Sequence, residues 1–373
     1  MPPKPIAVNE PWSEIVSIFL ASRVCILLIG WLANLIIPKS TQFGVPNSDS
    51  LLEMFFRWDC YWYMRIVENG YSYVPGQMSN VNFFPLYPIL VRLFSYLTGD
   101  PMLAGFIISN AALLLAAVFL YKLARLDFTG SVPSKAVLYM LVFPASLFFS
   151  VFYSEGLFLF LTVSSFYYAR KGQWAAASAL GFFAALTRSV GVFIFIPLLM
   201  EYLNMNFGSL KPDFRKLRAD IGLLLLVPAG LLIHMLYLQF TFGDSLLFIE
   251  AQSAWNRHFT SILTTVEHAA WYSPFHQAIF LGSAAFAAIM IAYMLYRRVR
   301  LSYLAYSALL LFIFLSGNIP EGMQRYVAVL FPVYIGMSLL GERSRFLEAL
   351  FTFLSAMLLA LFVMLYVQGY FMT

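Results

Sequence analysis

A chain of 373 residues with 61% apolar types and only 11% Asp, Glu, Lys and Arg is not an ordinary soluble domain, which carries about 25% charged residues. Mean hydropathy is +0.78 and the formal charge +5, so the class is an all-α polytopic membrane protein in which the distribution of charge matters more than its sum. The two cysteines, Cys25 and Cys60, imply no disulfide framework, and His234, His258, His268 and His276 form no metal-ligand spacing, so neither a zinc site nor another metal is expected.

Residues 1–12 read as a polar, Pro-rich tail. Residues 13–37 are apolar over a length that crosses about 30 Å of hydrocarbon, and without a small-residue cleavage site they read as an anchor rather than a removed signal. Residues 38–100 form the longest non-spanning region. Within it, Trp58, Trp62 and Ile66 recur every fourth residue, which predicts a helix with one aromatic face, stopped at Gly70. With Arg57, Asp59, Arg65 and Glu68 elsewhere around it, that helix suits a membrane–water interface better than a span. Residues 84–98 are apolar but short and contain Pro85, Pro88 and Arg92. Further spans are expected near 101–122, 135–152, 154–169, 174–187, 189–203, 220–242, 275–297, 301–317, 326–341 and 346–368, about eleven in all. The whole chain then forms one integral-membrane domain: first span 13–37, outer loop 38–100, core spans 101–242, outer loop 243–274 and C-terminal spans 275–368.

Charge bias decides how 84–98 lies. If it is interfacial, one side receives Lys122, Arg125, Lys135, Arg170, Lys171, Lys211, Arg215, Lys216, Arg218, Arg297, Arg298, Arg300, Arg343 and Arg345. The other side receives half as many: Lys39, Arg57, Arg65, Arg92, Arg188, Arg257 and Arg325. The positive-inside rule then puts the basic loops and the N-terminus in the cytoplasm and 38–100 on the far side. The basic loops themselves read as topogenic charges beside anionic lipid.

That topology gathers the unusual polar residues on one side: Asp59, Glu155, Arg188, Asn256, Arg257, His258, Glu321, Gln324 and Arg325. Ionisable groups at membrane depth need partners or a water-filled cavity, which makes them functional candidates. Each also has a structural reading. Asp59 would pair with Arg57 or Arg65, Glu155 would be a first-turn acid favoured by the helix dipole, and Arg188 would pair with Glu155. Arg325 would snorkel, Trp58 and Trp62 would anchor at the interface, and Arg257, His258, Glu321 and Gln324 would be loop residues. Arg23, inside the first span, takes no assigned role. The chemistry that uses all of these groups is sugar transfer from a lipid phosphate. Arginine holds the phosphate as leaving group, and a carboxylate takes the proton of the attacking acceptor hydroxyl. Asp59 is the expected base. Arg188, Arg325, Glu155, Trp58, Arg57, Arg257, His258, Glu321 and Gln324 are the candidate donor-phosphate and substrate contacts.

The same residues carry a family resemblance. Arg57-Trp58-Asp59 with Arg65 through Tyr71, Phe83 through Pro88, Phe143 through Ser146 with Tyr153-Ser154-Glu155, Leu186 through Ser189, and Arg325-Tyr326 before Phe331-Pro332 occur in one order. Together they resemble the GPI mannosyltransferase II-like (PIG-V-like) family over most of residues 55–335. Val190 stands where that pattern carries asparagine. The resemblance implies a GT-C fold with interfacial helices in its first outer loop, a dolichyl- or polyprenyl-phosphate mannose donor, no cofactor, and inversion at the anomeric carbon. It also implies an extracytoplasmic site in which Asp59 matches the acid proposed as catalytic, and Arg188 and Arg325 match positions suited to phosphate. The acceptor would be a glycan, glycolipid or protein, with no nucleic acid involved. Short loops make the plasma membrane of a prokaryote a better expectation than the endoplasmic reticulum. The competing reading is a transporter or flippase of lipid-linked sugars. That class typically shows internal repeats and mid-membrane broken helices, and no repeat is visible here.

Overall fold

The computed structural model describes residues 11–41, 50–208, 219–370 and 372. Lys211, Arg215, Lys216 and Arg218, counted above among the basic loops, lie outside the described residues, as does most of the 1–12 tail. Helices α1 (Trp12–Ile36), α2 (Asp59–Asn69), α3 (Leu86–Thr98), α4 (Pro101–Ala124), α5 (Val132–Val142) and α6 (Glu155–Arg170) come first. They are followed by α7 (Trp174–Thr187), α8 (Phe195–Phe207), α9 (Leu226–Phe242), α10 (Leu247–Glu250) and α11 (Ile262–Ala269). The chain ends with α12 (Pro274–Tyr296), α13 (Leu301–Leu315), α14 (Met323–Ala328), α15 (Pro332–Gly341) and α16 (Arg345–Val367). Among the described residues there is no strand. The all-α membrane class therefore holds.

Among the described residues, six helical segments are long and apolar enough to cross a membrane: α1, α4, 189–207, 219–242, α12 and α16. The others are shorter than about eleven spans would lead one to expect, and two breaks explain part of this. The expected span at 135–152 stops as α-helix at Val142, because Phe143 precedes Pro144 and takes extended backbone (φ −55°, ψ 143°). The span expected at 326–341 is split into α14 and α15 ahead of Pro332. Inside hydrocarbon each freed carbonyl needs a partner. Arg23 supplies one set, donating to Leu141 O (2.7 Å), Ser146 O (3.2 Å), Ser146 Oγ (2.9 Å) and Ser150 Oγ (2.7 Å). That gives the unassigned arginine of the first span a role as the cap of a broken helix. At the second break, the Tyr306 hydroxyl donates to Val329 O (3.0 Å) and the Tyr334 hydroxyl to Ala328 O.

α4 packs on α6, α6 on α7 and α7 on α9, while α5 lies against α15 and α16, and α16 against α1. Gly156 permits the first of these contacts: a Cβ there would stand 2.7 Å from Phe149 O and 3.0 Å from Ser109 O. Residues 84–98 become α3. Its 13 residues reach only about 20 Å, short of a crossing. It buries Tyr87, Pro88 and Val91 and leaves Leu93, Tyr96 and Leu97 exposed, the division expected of a helix lying on an apolar boundary. Both α2 and α3 end on glycines in positive φ, Gly70 (78°) and Gly99 (71°).

α6 spans about 24 Å from Glu155 to Arg170 and so defines two ends of the bundle. At the Arg170 end, Arg170 donates to Asp127 Oδ1 (2.8 Å) and lies 3.8 Å from Glu201, and Arg300 donates to Glu201 Oε1 (2.7 Å). Arg170 also donates to the Tyr303 hydroxyl (3.0 Å), which in turn donates to Asp127 Oδ2 (3.0 Å). Part of the basic bias at this end is thus neutralised within the fold.

Candidate active site

The Glu155 end collects the acids and arginines that the sequence distributes over separate hairpins. α6 begins at Glu155, where the helix dipole favours a negative group, and the side chain is only 1% exposed. α7 ends at Thr187, and Arg188 follows it in extended backbone before the 3-10 turn Ser189–Ile194. α14 carries Arg325 and Tyr326. α2 starts at Asp59, immediately after Trp58, which holds a positive φ of 54°. A tryptophan in that backbone region is strained, and such strain collects where a fold must aim a side chain.

These pieces meet. Arg325 Nη1 lies 2.6 Å from Asp59 Oδ2 and its Nε lies 3.0 Å from Glu155 Oε1, so one guanidinium bridges two carboxylates. Arg188 Nη1 lies 2.5 Å from the same Glu155 oxygen and 3.5 Å from Ser154 Oγ. The Glu155 contacts are ion pairs without hydrogen-bond alignment, and its Oε2 meets no donor among the described residues. Asp59 is less enclosed, with 19% of its side chain exposed, and its Oδ1 accepts no hydrogen bond among the described residues.

Tyrosines fix this arrangement from below. The Tyr153 hydroxyl accepts from the Asp59 backbone N–H (3.2 Å) and donates to Arg57 O (3.3 Å), and the Tyr366 hydroxyl donates to the same carbonyl (3.3 Å). Tyr63, one turn along α2, donates to Ser154 Oγ (2.7 Å). Burial, with Glu155 nearby, pushes the Tyr63 phenol above its ordinary range, so it serves as a neutral donor. Tyr326 has the guanidinium groups of Arg188, Arg257 and Arg325 at 6.0, 5.9 and 5.6 Å from its ring, and its hydroxyl accepts from Arg257. Arg257 also reaches Glu321 at 4.0 Å, and Glu321 accepts from the Tyr272 hydroxyl (2.7 Å).

Of the residues singled out from sequence, Asp59, Glu155, Arg188, Arg325, Arg257 and Glu321 therefore belong to one connected network. The other four, Arg57, Gln324, His258 and Trp58, are placed differently. Arg57 is buried and donates to Val367 O (3.2 and 3.3 Å), Glu53 O (2.9 Å) and Phe56 O (2.9 Å), tying the start of α2 to α16. Gln324 donates to Met372 O. The His258 side chain is exposed, and its backbone N–H donates to Asn318 Oδ1 (3.0 Å). Trp58 contributes its backbone turn and packs against the core. Sequence reasoning gave no part to Tyr153, Ser154, Tyr63 or Tyr326, although the first two adjoin Glu155 and the last adjoins Arg325. The alternative partners considered for Asp59 are not used: Arg57 faces carbonyls, and Arg65 lies over the Trp62 ring at 5.4 Å. Among the described residues no three His, Cys, Asp or Glu side chains gather as metal ligands do.

The chain resembles GPI alpha-1,6-mannosyltransferase 2 of Rattus norvegicus, with 30% identity over 266 residues, 62% of this chain and 53% of that protein. The Mus musculus protein of the same name is 31% identical over 261 residues, 61% of this chain and 52% of its own length. The chain thus spans about half the length of the curated relatives it matches. Among solved structures, ArnT from Cupriavidus metallidurans bound to undecaprenyl phosphate aligns with a TM-score of 0.54 at 14% identity. That alignment covers 96% of this chain and 76% of ArnT, and it shows a shared GT-C fold. Asp59, Glu155 and Arg188 lie within residues 14–255, which match the family described as Mannosyltransferase (PIG-V), so the chain belongs to the PIG-V mannosyltransferase family.

Proposed function

We propose that this protein transfers a hexose, mannose in the first instance, from a polyprenyl- or dolichyl-phosphate donor to an acceptor hydroxyl, at the membrane face opposite the basic loops. The observation that carries the reading is the Asp59–Arg325–Glu155–Arg188 chain of contacts beside the interfacial helices α2 and α3. The relatives bear the name mannosyltransferase, and the ArnT structure contains undecaprenyl phosphate, which favours a lipid-phosphate donor here.

In this reading the donor phosphate engages Arg325 and Arg188, with Arg257 completing the arc around Tyr326. Arg325 now holds the Asp59 carboxylate, so a phosphate that takes over this guanidinium releases Asp59 toward the acceptor. Asp59 then accepts the hydroxyl proton while the acceptor oxygen bonds to the anomeric carbon from the side opposite the phosphate. The carbon–oxygen bond to phosphate breaks, the phosphate leaves with the electron pair, and the configuration inverts. Glu155, deeper in the fold, orients the two arginines and takes no proton. The acceptor is a glycan, glycolipid or protein hydroxyl, and a prokaryotic plasma membrane suits the short loops.

The test is incubation of the purified protein with labelled polyprenyl-phosphate mannose or glucose and a membrane extract, alongside Asp59→Asn. Transfer should fall by roughly 100-fold or more in the variant, the scale of a lost general base, with donor binding retained. Undiminished transfer would refute the assignment.

A further inference from the structure

At the Arg170 end, away from the acids just described, the link between α12 and α13 and the link between α15 and α16 flank an open cavity of about 550 Å³. It is lined by Tyr296, Arg297, Arg298, Leu339, Glu342 and Arg343. Arg300, on the first of these links, reaches Asp127 and Glu201, which places the cavity at this end of the bundle. Arg297 is occupied, donating to the Tyr293 hydroxyl (2.8 Å), and Glu342 accepts from Ser131 Oγ (2.9 Å). The Arg298 and Arg343 guanidinium groups have no hydrogen bond or ion pair among the described residues, in contrast to those of Arg170 and Arg300 at the same end. Two uncommitted guanidinium groups thus share one concave wall.

Arg298 is also held in an unusual backbone. After α12 its φ is +54°, and Val299 N–H donates back to Met294 O (2.9 Å), the bond that closes a left-handed helix end. Glycine normally fills that position because it bears no Cβ, so the arginine sits there against local conformational preference. The surroundings are amphipathic. Tyr296 lines the cavity and is 72% exposed, and its neighbour Leu295 and Phe346 on α16 are exposed apolar side chains. A free inorganic anion has no use for an exposed Tyr296 in the lining with exposed Leu295 next to it in sequence; a diacyl lipid has.

We propose that this cavity binds the headgroup of an anionic phospholipid, with Arg298 and Arg343 on its phosphate and the acyl chains along Leu295, Tyr296 and Phe346. Basic pockets between helix ends at a membrane surface have the right charge and depth for such headgroups. The site is independent of the transfer chemistry and needs no assumption about which leaflet it faces.

The test is thermal unfolding and native mass spectrometry of the detergent-purified protein titrated with phosphatidylglycerol, phosphatidylcholine or inorganic phosphate. Phosphatidylglycerol should raise the melting temperature and remain bound in the gas phase, and the other two should not. Arg298→Gln and Arg343→Gln should each weaken lipid retention roughly fivefold, the scale of one basic residue at an anionic surface. Arg298→Gly relieves the left-handed backbone, so it should weaken lipid retention as Arg298→Gln does while melting no lower than the parent without lipid. Lys122→Gln and Lys171→Gln, made singly, each remove the same charge from the same end and should leave retention unchanged. Equal loss in either control would show general surface electrostatics and overturn the proposal, as would equal protection by phosphatidylcholine or phosphate, or full lipid retention by Arg298→Gly.

Discussion

Replacing Glu155 by glutamine separates an orienting residue from a catalytic one. The side chain is 1% exposed and faces two arginines whose side chains are themselves only 16% and 9% exposed. Asp59, Glu155, Arg188 and Arg325 together are neutral; neutralising either acid leaves them at +1, but at Glu155 the imbalance is 1% exposed and at Asp59 19%. Breaking a buried pair by removing one partner costs about 3–5 kcal/mol, because the remaining charge loses its compensation. Asp59→Asn removes one charge-assisted hydrogen bond at a more open position, worth about 1.5–3 kcal/mol before solvent screening reduces it. Glu155→Gln should therefore lower thermal stability in detergent more than Asp59→Asn does, and the residual transfer of the folded fraction should exceed that of Asp59→Asn. The assay pairs tryptophan-monitored unfolding with transfer measured per folded molecule. If Glu155→Gln unfolds like the parent yet abolishes transfer, Glu155 works on the substrate and the division of labour between the two acids is wrong.

Gly156→Ala should destabilise by about 1–3 kcal/mol, since its Cβ would press on Phe149 O and Ser109 O, and backbone carbonyls cannot rotate away; urea unfolding in micelles reads it out, and an unchanged midpoint would contradict the packing of α6 on α4. Burial pushes the Cys60 thiol up to about 12. In a Cys25→Ser background it should resist maleimide at pH 8 in the folded protein and react after denaturation, because only the thiolate is a good nucleophile; quantitative labelling of the native state would show that α2 does not bury it. Arg57→Lys keeps the charge but loses the fork that holds Val367 O, Glu53 O and Phe56 O. Stability should fall by about 1–3 kcal/mol while donor affinity of the folded protein stays unchanged, and a selective loss of donor binding would return Arg57 to the substrate contacts.

Which parts of this were legible in the sequence follows from how far each signal reaches along the chain. Hydropathy and cap residues act within a turn or two, so the long spans, the helix from Asp59 and its end at Gly70 appear where the pattern puts them. A hydropathy window averages over one proline, however, and 135–152 and 326–341 were read through Pro144 and Pro332 although each proline restricts the residue before it. Ion pairs carry no period at all. Asp59 and Arg325 are 266 residues apart, and Arg23 caps a break more than a hundred residues away. What topology supplies instead is a restriction: an ionisable group at one end of a bundle must find its partner at that end. That restriction gathers Asp59, Glu155, Arg188 and Arg325; at the opposite end the charge bias marks only the basic residues, and their partners Asp127 and Glu201 carry no signal in it. The choice among partners at one end is made by backbone. Arg57 is two residues from Asp59, yet Trp58 between them holds φ +54°, and the turn sends the arginine to Val367 O while the acid faces Arg325. Nearness in sequence favoured the wrong arginine, and one residue in a left-handed conformation is the physical reason.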